Sequence, residues 1–313
     1  MNSIEHLTDQ PGVFTVLCRK LCPAALLLLL AGVLGFAQEE SREPRDIPTK
    51  PFHIIGNLYY VGPVEPSGKW RQDSVSYLIT TPQGHILLDS VYEETVPVIR
   101  DNIQKMGFRY QDVKILLNSH AHTDHMAGHL RMKELTGAQV VISEGDAAVV
   151  QDGGRSDFRS DGRELWKPFK PDRIIRDGEQ VRLGGVILTA HFTPGHTKGC
   201  TTWTMVTQEG GRTYNVVIAC GVRLNGANVP LVGNTKYPNI AEDYAKSFRV
   251  LKTLPADVFL GVHGSWFKLA EKAKLVERGG GPNPFIDPAG YREFIATFER
   301  EYLAQLQKER GAR

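Results

Sequence analysis

The chain has no excess of either charge. Its 37 Lys and Arg stand against 35 Asp and Glu, for a net +2 at pH 7. Such a balance gives no electrostatic reason to expect nucleic acid or an acidic surface as partner. Long charge runs and internal repeats are absent, and no Pro/Ser-rich linker divides the chain. A nucleophilic serine of the GxSxG type is missing as well. Cysteine is scarce, at four residues in 313. What is present is ordinary for a globular protein: 41% hydrophobic and 23% charged residues, enough for a sizeable core.

The N-terminus differs from the rest. Residues 23–37, PAALLLLLAGVLGFA, form an apolar run preceded by Arg19 and Lys20 and closing on Gly35-Phe36-Ala37. This is the layout of a secretory signal peptide, with cleavage expected after Ala37. A membrane span needs roughly 20 apolar residues, so the mature protein is expected to have no stable span. Cys18 and Cys22 precede the run, which does not suit a lipoprotein anchor. Residues 38–51 read as a polar lead-in, and the mature protein is expected to be exported to the periplasm.

Two cysteines then remain, Cys200 and Cys220. Between them two β-rich runs flank a QEGGR turn, which reads as a hairpin. Each cysteine is ten residues from Gly210, so the two face each other to within one residue of register. A disulfide suits an exported chain. The alternative is a pair of free thiols, one of which approaches a metal site.

Periodicity marks the other elements. Residues 52–61 and 75–90 read as strands, with TPQG as a turn. Val96, Ile99, Ile103 and Met106 share a helical face. VKILLN (113–118) is a short buried strand, the next helix closes at Gly137, and AQVVIS is another strand. Residues 151–172, rich in Gly and polar side chains, are expected to form an exposed loop. Strands resume at VRL and VILTAHF. Beyond the hairpin come an irregular segment, a helix around 240–253 and the strand DVFLGV. Asp287-Pro288 opens a last helix with Tyr291, Phe294, Ile295, Phe298 and Tyr302 as its apolar stripe. Two successive series of strands, each followed by helices, predict an α+β fold: two packed sheets with helices outside, an αβ/βα sandwich. Residues 38–313 are expected to be a single catalytic domain with two structural halves.

The chemistry is concentrated in histidine. Six of the ten histidines sit in or beside three strand-to-loop transitions, SHAHTDH, TPGHTKG and LGVHGS. Side chains two apart share a side only in extended chain, so His120 and His122 meet on one ion if the strand continues through them. Asp124 and His125 fall at the turn into the next helix and aim at a second point. With His196 and His263 the set is six N and O donors, three for each of two ions, leaving positions open for water as a catalytic zinc site requires. Imidazole with carboxylate suits zinc best; iron and manganese are the alternatives.

The HxHxDH run, the downstream TPGH and the late GVH resemble the metallo-β-lactamase superfamily. NLYYVG (57–62), VSYLITTPQGHILLDS (75–90) and TLPADVFLGVHGSW (253–266) are similar to its subclass B3 β-lactamases, and the likeness spans roughly residues 50–310. HxHxDH alone marks only the superfamily. The resemblance implies two Zn2+ ions, one on His120, His122 and His196, the other on Asp124, His125 and His263. It implies hydrolysis of the β-lactam amide of penicillins, cephalosporins and carbapenems through a metal-bound hydroxide, with His120, His196 and Asp124 as catalytic ligands. Asp89 matches the buried aspartate that supports the metal loop. His129 reads as the exposed face of a helix, the alternative being a supporting partner of the metal ligands, and His53, His85 and His191 read as structural.

The sequence departs from the family at CGVRLNG (220–226). A bridging aspartate common in the superfamily is replaced by Cys220, which argues against a thioesterase-type centre. Serines usual in the subclass are replaced by Gly221 and Arg223. A guanidinium matches a carboxylate bidentately, so Arg223 is a candidate for the substrate carboxylate. Asn225, Ser265, Trp266 and the loop 151–165 are expected to edge the pocket. The alternatives are another exported metal-dependent hydrolase of this fold (a lactonase, thioesterase or phosphodiesterase) or a non-catalytic binding module. The expected partner is a small β-lactam and no nucleic acid; the oligomeric state is open.

Overall fold

Strands β1 (Phe52–Ile55), β2 (Leu58–Tyr60), β3 (Tyr77–Thr81) and β4 (Gly84–Leu88) form an antiparallel meander in the computed structural model, which describes residues 50–62 and 73–312. The signal segment and nearly all of the lead-in lie outside the described residues. Contacts divide the chain into Met1–Glu43 and Pro44–Arg313, and every described strand and helix belongs to the second unit.

Strands β5 (Val113–Leu117), β6 (Gln139–Ser143) and β7 (Arg173–Ile175) extend the meander in parallel, giving a seven-stranded sheet in the order β1 to β7. Parallel neighbours need crossovers. Helix α1 (Val96–Lys105) supplies the first; α2 (Thr123–Met126) and α3 (His129–Thr136) lie in the second, and α4 (Ala147–Gln151) in the third. The second sheet has five strands in the order β12-β11-β10-β9-β8. These are β8 (Gln180–Leu183), β9 (Val186–Phe192), β10 (Thr201–Glu209), β11 (Arg212–Ala219) and β12 (Val258–Gly261). Helix α5 (Ile240–Thr253) connects β11 to its parallel neighbour β12, and α6 (Leu269–Arg278) and α7 (Pro288–Gly311) follow.

Alternation along each strand decides which core a residue joins. On β4, Ile86 and Leu88 enter the core between the sheets, while Leu87 enters the core beneath α1 and α3. Burial on both faces explains why HILL reads as one continuous apolar run. Val96, Ile99 and Ile103 of α1 pack into the same helical layer, whereas Met106 falls at the cap and is half-buried. At the other sheet, Tyr291, Phe294, Ile295 and Tyr302 of α7 are buried with Tyr244 and Phe248 of α5. Each fully buried side chain of this kind contributes about 1.5–3 kcal/mol. Asp287 caps α7 by accepting from the Gly290 N–H at 2.8 Å. The result is the expected sandwich of two sheets with helices outside. No helix among the described residues is long and apolar enough to cross a membrane.

In the β10–β11 hairpin Trp203 lies opposite Ile218. That register leaves Cys200 and Cys220 one residue out of step, and the two are joined as a disulfide with Cα atoms 5.9 Å apart. Residues 151–172 are irregular and meet the expectation of an exposed loop only in part. Gly153, Gly154, Asp157, Ser160 and Trp166 are all buried. The Gly153 carbonyl accepts from the N–H groups of Leu165 (2.8 Å) and Trp166 (3.3 Å), which folds the segment back on itself. Its polar composition misleads because the polar groups are satisfied within the loop.

Candidate metal centre

The histidine run begins where β5 stops, at Leu117. The strand does not continue through it, which corrects the extended-chain route to convergence. The His122 N–H donates to the His120 carbonyl at 3.1 Å, closing a tight turn. Two buried carboxylates bend the chain there. Asp89 accepts from the Ser119 N–H at 2.7 Å, and Asp146 accepts from the Ala121 N–H at 2.8 Å. Helix α2 then starts at Thr123 and carries Asp124 and His125 in its only full turn.

His196 follows β9 and His263 follows β12. Gly195, just before His196, has φ +127°, and a Cβ there would lie 2.7 Å from the Tyr244 ring. Only glycine combines that backbone with that approach. Gly221 is equally confined, since a Cβ would stand 2.7 Å from Cδ2 of His196.

The loops bring together two groups of three donors. His120, His122 and His196 offer ligand atoms within 4.8 Å of one another, and so do Asp124, His125 and His263. The His120 ring centroid lies 4.6 Å from that of His122, 5.0 Å from His196 and 4.2 Å from His125. In the second group, His125 Nε2 is 3.3 Å from His263 Nε2 and 3.2 Å from Asp124 Oδ2.

Several rings are held by the nitrogen that faces away from the cluster. Nδ1 of His196 lies 2.8 Å from the Arg223 carbonyl, that of His125 2.9 Å from Asp89, and that of His120 3.0 Å from the Ser119 hydroxyl. His263 Nδ1 is 3.2 Å from Asp73. Outer partners of this kind fix ring orientation at metal sites. Nε2 of His120 is buried without a protein partner, a state that costs free energy unless something else satisfies it. The donor set therefore fits a divalent ion of the zinc type.

Electrostatics agree. Burial, reinforced by neighbouring histidines, holds His120 well below the usual imidazole range. Burial and the charge of Arg159 lower His122, and lower His196 to about 3. These rings are therefore neutral, as ligation demands. Around His125 the balance reverses: burial opposes charge, yet Asp124 and Asp89 raise it to about 10. The same histidines, led by His125, hold Asp124 far below the carboxylate range despite its burial. Two carboxylates on either side of one imidazole call for a cation.

Further supports carried no local signal in the sequence. Asp146 accepts from the Ala121 N–H, the Thr197 hydroxyl (2.9 Å) and the Gly199 N–H (2.8 Å), so it ties the first histidine loop to the His196 loop. Ser74 donates to Asp124 Oδ2 at 2.7 Å. Asp73 accepts from the Ser265 N–H at 2.6 Å. Asp157 lies 3.6 Å from His122 Nε2.

Asn225 sits at the site and donates to the His196 carbonyl at 3.1 Å. Trp266 packs its ring 4.6 Å from that of His263. Arg223 is exposed, and it is its carbonyl that reaches His196 and the Tyr244 hydroxyl. Ser265 is exposed; Lys268, three residues on as in an SxxK pair, lies 3.7 Å from Glu293. His129 is corrected: it is fully buried, with Nδ1 2.6 Å from Ser90 Oγ and Nε2 3.2 Å from the Leu117 carbonyl. Its helix lies against the sheet at that end, so the ring points inward. His53 bonds the Gly56 carbonyl, His191 bonds Thr204, and His85 packs on Phe108. A groove of about 820 Å³ on the β9–β11 face holds His191 but none of the candidate ligands. Its size carries no chemistry.

A two-sheet sandwich whose loops present imidazoles and a carboxylate in two adjoining triads is the architecture of a metal-dependent hydrolase. The chain belongs to the metallo-beta-lactamase superfamily, whose family model matches residues 70–263. Among solved structures it is similar to the native FEZ-1 metallo-beta-lactamase from Legionella gormanii, at 42% identity and TM-score 0.79, covering 86% of this chain and 99% of that one. It is also similar to BJP-1, a subclass B3 metallo-beta-lactamase of Bradyrhizobium japonicum, at 35% identity and TM-score 0.75, covering 86% and 98%. A curated relative, the hydroxyacylglutathione hydrolase of Hyphomonas neptunium, is 26% identical over 149 residues, 48% of this chain and 50% of the relative. The chain thus spans about half the length of that relative.

Proposed function

We propose that the chain is an exported, periplasmic zinc-dependent β-lactamase that opens the β-lactam amide of penicillins, cephalosporins and carbapenems. The observation that carries this reading is the pair of triads, His120/His122/His196 beside Asp124/His125/His263. It is supported by similarity to β-lactamases over nearly their whole length. Two zinc ions held there would lower the pKa of water from about 15.7 toward about 7 and polarise a carbonyl.

The chain's own residues do the rest. Asp124, kept ionised by its histidines, would serve as a ligand and as the group that orients the reacting water. Asp89 and the Arg223 carbonyl hold His125 and His196 in one ring orientation. Burial of the histidines keeps competing water away from them. The deciding experiment is hydrolysis of a penicillin, a cephalosporin and a carbapenem before and after chelation. Turnover that persists after complete metal removal refutes the reading.

A second reading, a thioesterase, is favoured by the likeness to the hydroxyacylglutathione hydrolase. Against it stands Cys220, tied to Cys200 where a bridging aspartate is common in such enzymes. A glutathione thioester assayed beside a chromogenic cephalosporin separates the two.

A further inference from the structure

The sequence offers Arg223 for the substrate carboxylate, but a different cation is tied to two residues that touch the candidate ligands. Arg159 comes from the folded-back loop 151–172, and its Nη1 donates to Asn225 Oδ1 at 2.9 Å. The other amide end of Asn225 donates to the His196 carbonyl at 3.1 Å. On the opposite side, Asp157 accepts from the Arg159 N–H at 2.7 Å and lies 3.8 Å from Arg159 Nε. The second oxygen of Asp157 is 3.6 Å from His122 Nε2. Arg159 is therefore one residue removed from two candidate metal ligands, on two independent paths.

Its charge is felt at the site. It lowers both His122 and His196, after burial the largest influence on each. The side chain is about one third exposed, so the guanidinium is anchored yet open to a ligand. A guanidinium has five N–H donors in a fixed fork, and the described hydrogen bond to Asn225 uses one. Asp157, itself buried, lies 3.8 Å from Nε and offsets part of the charge.

Resting on the β-lactamase reading, we propose that Arg159 is the specificity-determining residue that binds the carboxylate of an anionic β-lactam, with Asn225 holding its guanidinium in place. A loop-borne cation held by a hydrogen bond to Asn225 on one side and an ion pair with Asp157 on the other is preorganised to form a charge-assisted pair with less loss of rotamer freedom. The exposed side chain of Arg223 has no such anchorage among the described contacts.

The test compares a cephalosporin bearing its free carboxylate with its methyl ester, in the zinc-loaded wild type and in the Arg159→Ala, Arg159→Lys and Arg223→Ala variants. Zinc content and circular dichroism check that each variant is folded and loaded. Arg159→Ala is expected to raise KM for the acid about 10- to 100-fold, with kcat nearly unchanged and the ester unaffected. Arg159→Lys falls between, since an ammonium keeps the charge and loses the fork. Equal losses for acid and ester would mean that Arg159 only braces its loop, and would overturn the proposal. Loss confined to Arg223→Ala would move the role to Arg223 and overturn it too. A wild type that opens neither compound sinks the β-lactamase reading, and the inference falls with it.

Discussion

Asp89 Oδ2 lies 2.9 Å from Nδ1 of His125, with both side chains sealed from solvent. The same carboxylate accepts from the Ser119 N–H and hydroxyl, each at 2.7 Å. Asp89 itself sits at φ +59°, a strained backbone for a residue other than glycine and one that persists only where its surroundings hold it. An asparagine has one acceptor oxygen and one NH2, so it cannot accept at both positions: either the Ser119 N–H or the Ser119 hydroxyl and His125 together would face a donor. Asp89→Asn is therefore expected to weaken metal binding at the Asp124/His125/His263 group by about 10- to 100-fold. Competition with a chromogenic chelator measures this, and unchanged affinity would count against the arrangement.

Asp146 carries three hydrogen bonds that join the two histidine loops. Asp146→Ala leaves two buried N–H groups without an acceptor, each worth about 1–3 kcal/mol. The variant is expected to lose about 3 kcal/mol in urea denaturation and to bind less metal at the His120/His122/His196 group. A variant as stable as wild type would show that water replaces the carboxylate.

Gly221 stands against His196 so closely that a methyl has no room. Gly221→Ala is expected to cost about 1–3 kcal/mol of overpacking and to turn the His196 ring away from its partners. A serine, which subclass B3 would suggest here, brings the same Cβ. Zinc titration should show the first group weakened and the second intact; full occupancy of both would argue that the loop simply yields.

His129 is buried and neutral, lowered to about 4 chiefly by burial. The unfolded chain takes up this proton below about pH 6.5, while the fold resists it until about pH 4. Stability from this group is thus complete above pH 6.5 and is lost as pH falls. The metal-free protein should lose about 2 kcal/mol between pH 7 and pH 5 through His129. Urea midpoints at the two pH values, with His129→Gln as the comparison, check it: the variant should show a shallower loss.

Much of the fold and the site is readable along the chain, and the exceptions share a cause. Alternation and periodicity locate the strands around 75–90, the helix at 240–253 and the Asp287 cap because those signals are local. Helix α6 is less legible: apart from Leu269, its buried residue is Lys272, paired with Asp287 and lying over the Phe267 and Phe285 rings. The spacing in SHAHTDH points to convergence, but the turn that produces it depends on carboxylates supplied by Asp89 and Asp146. Ser74 reaches Asp124 across 50 residues and Asp146 reaches Thr197 across 51. No periodicity records such pairings. His129 and the loop 151–172 mislead for a related reason, since polarity signals solvent only when the polar groups lack partners inside.

The Cys200–Cys220 bridge passes directly behind the first histidine. Cys220 Sγ is 3.7 Å from His120 Nδ1, and the three side chains together have the spacing of a metal site. With open thiols that corner would offer two sulfurs and an imidazole, a donor set that copper(I) and other thiophilic ions prefer. With the sulfurs bonded to each other, that rival chelate is withdrawn. His120 is then free to serve an oxygen- and nitrogen-lined centre, so the bridge guards metal identity as well as stability.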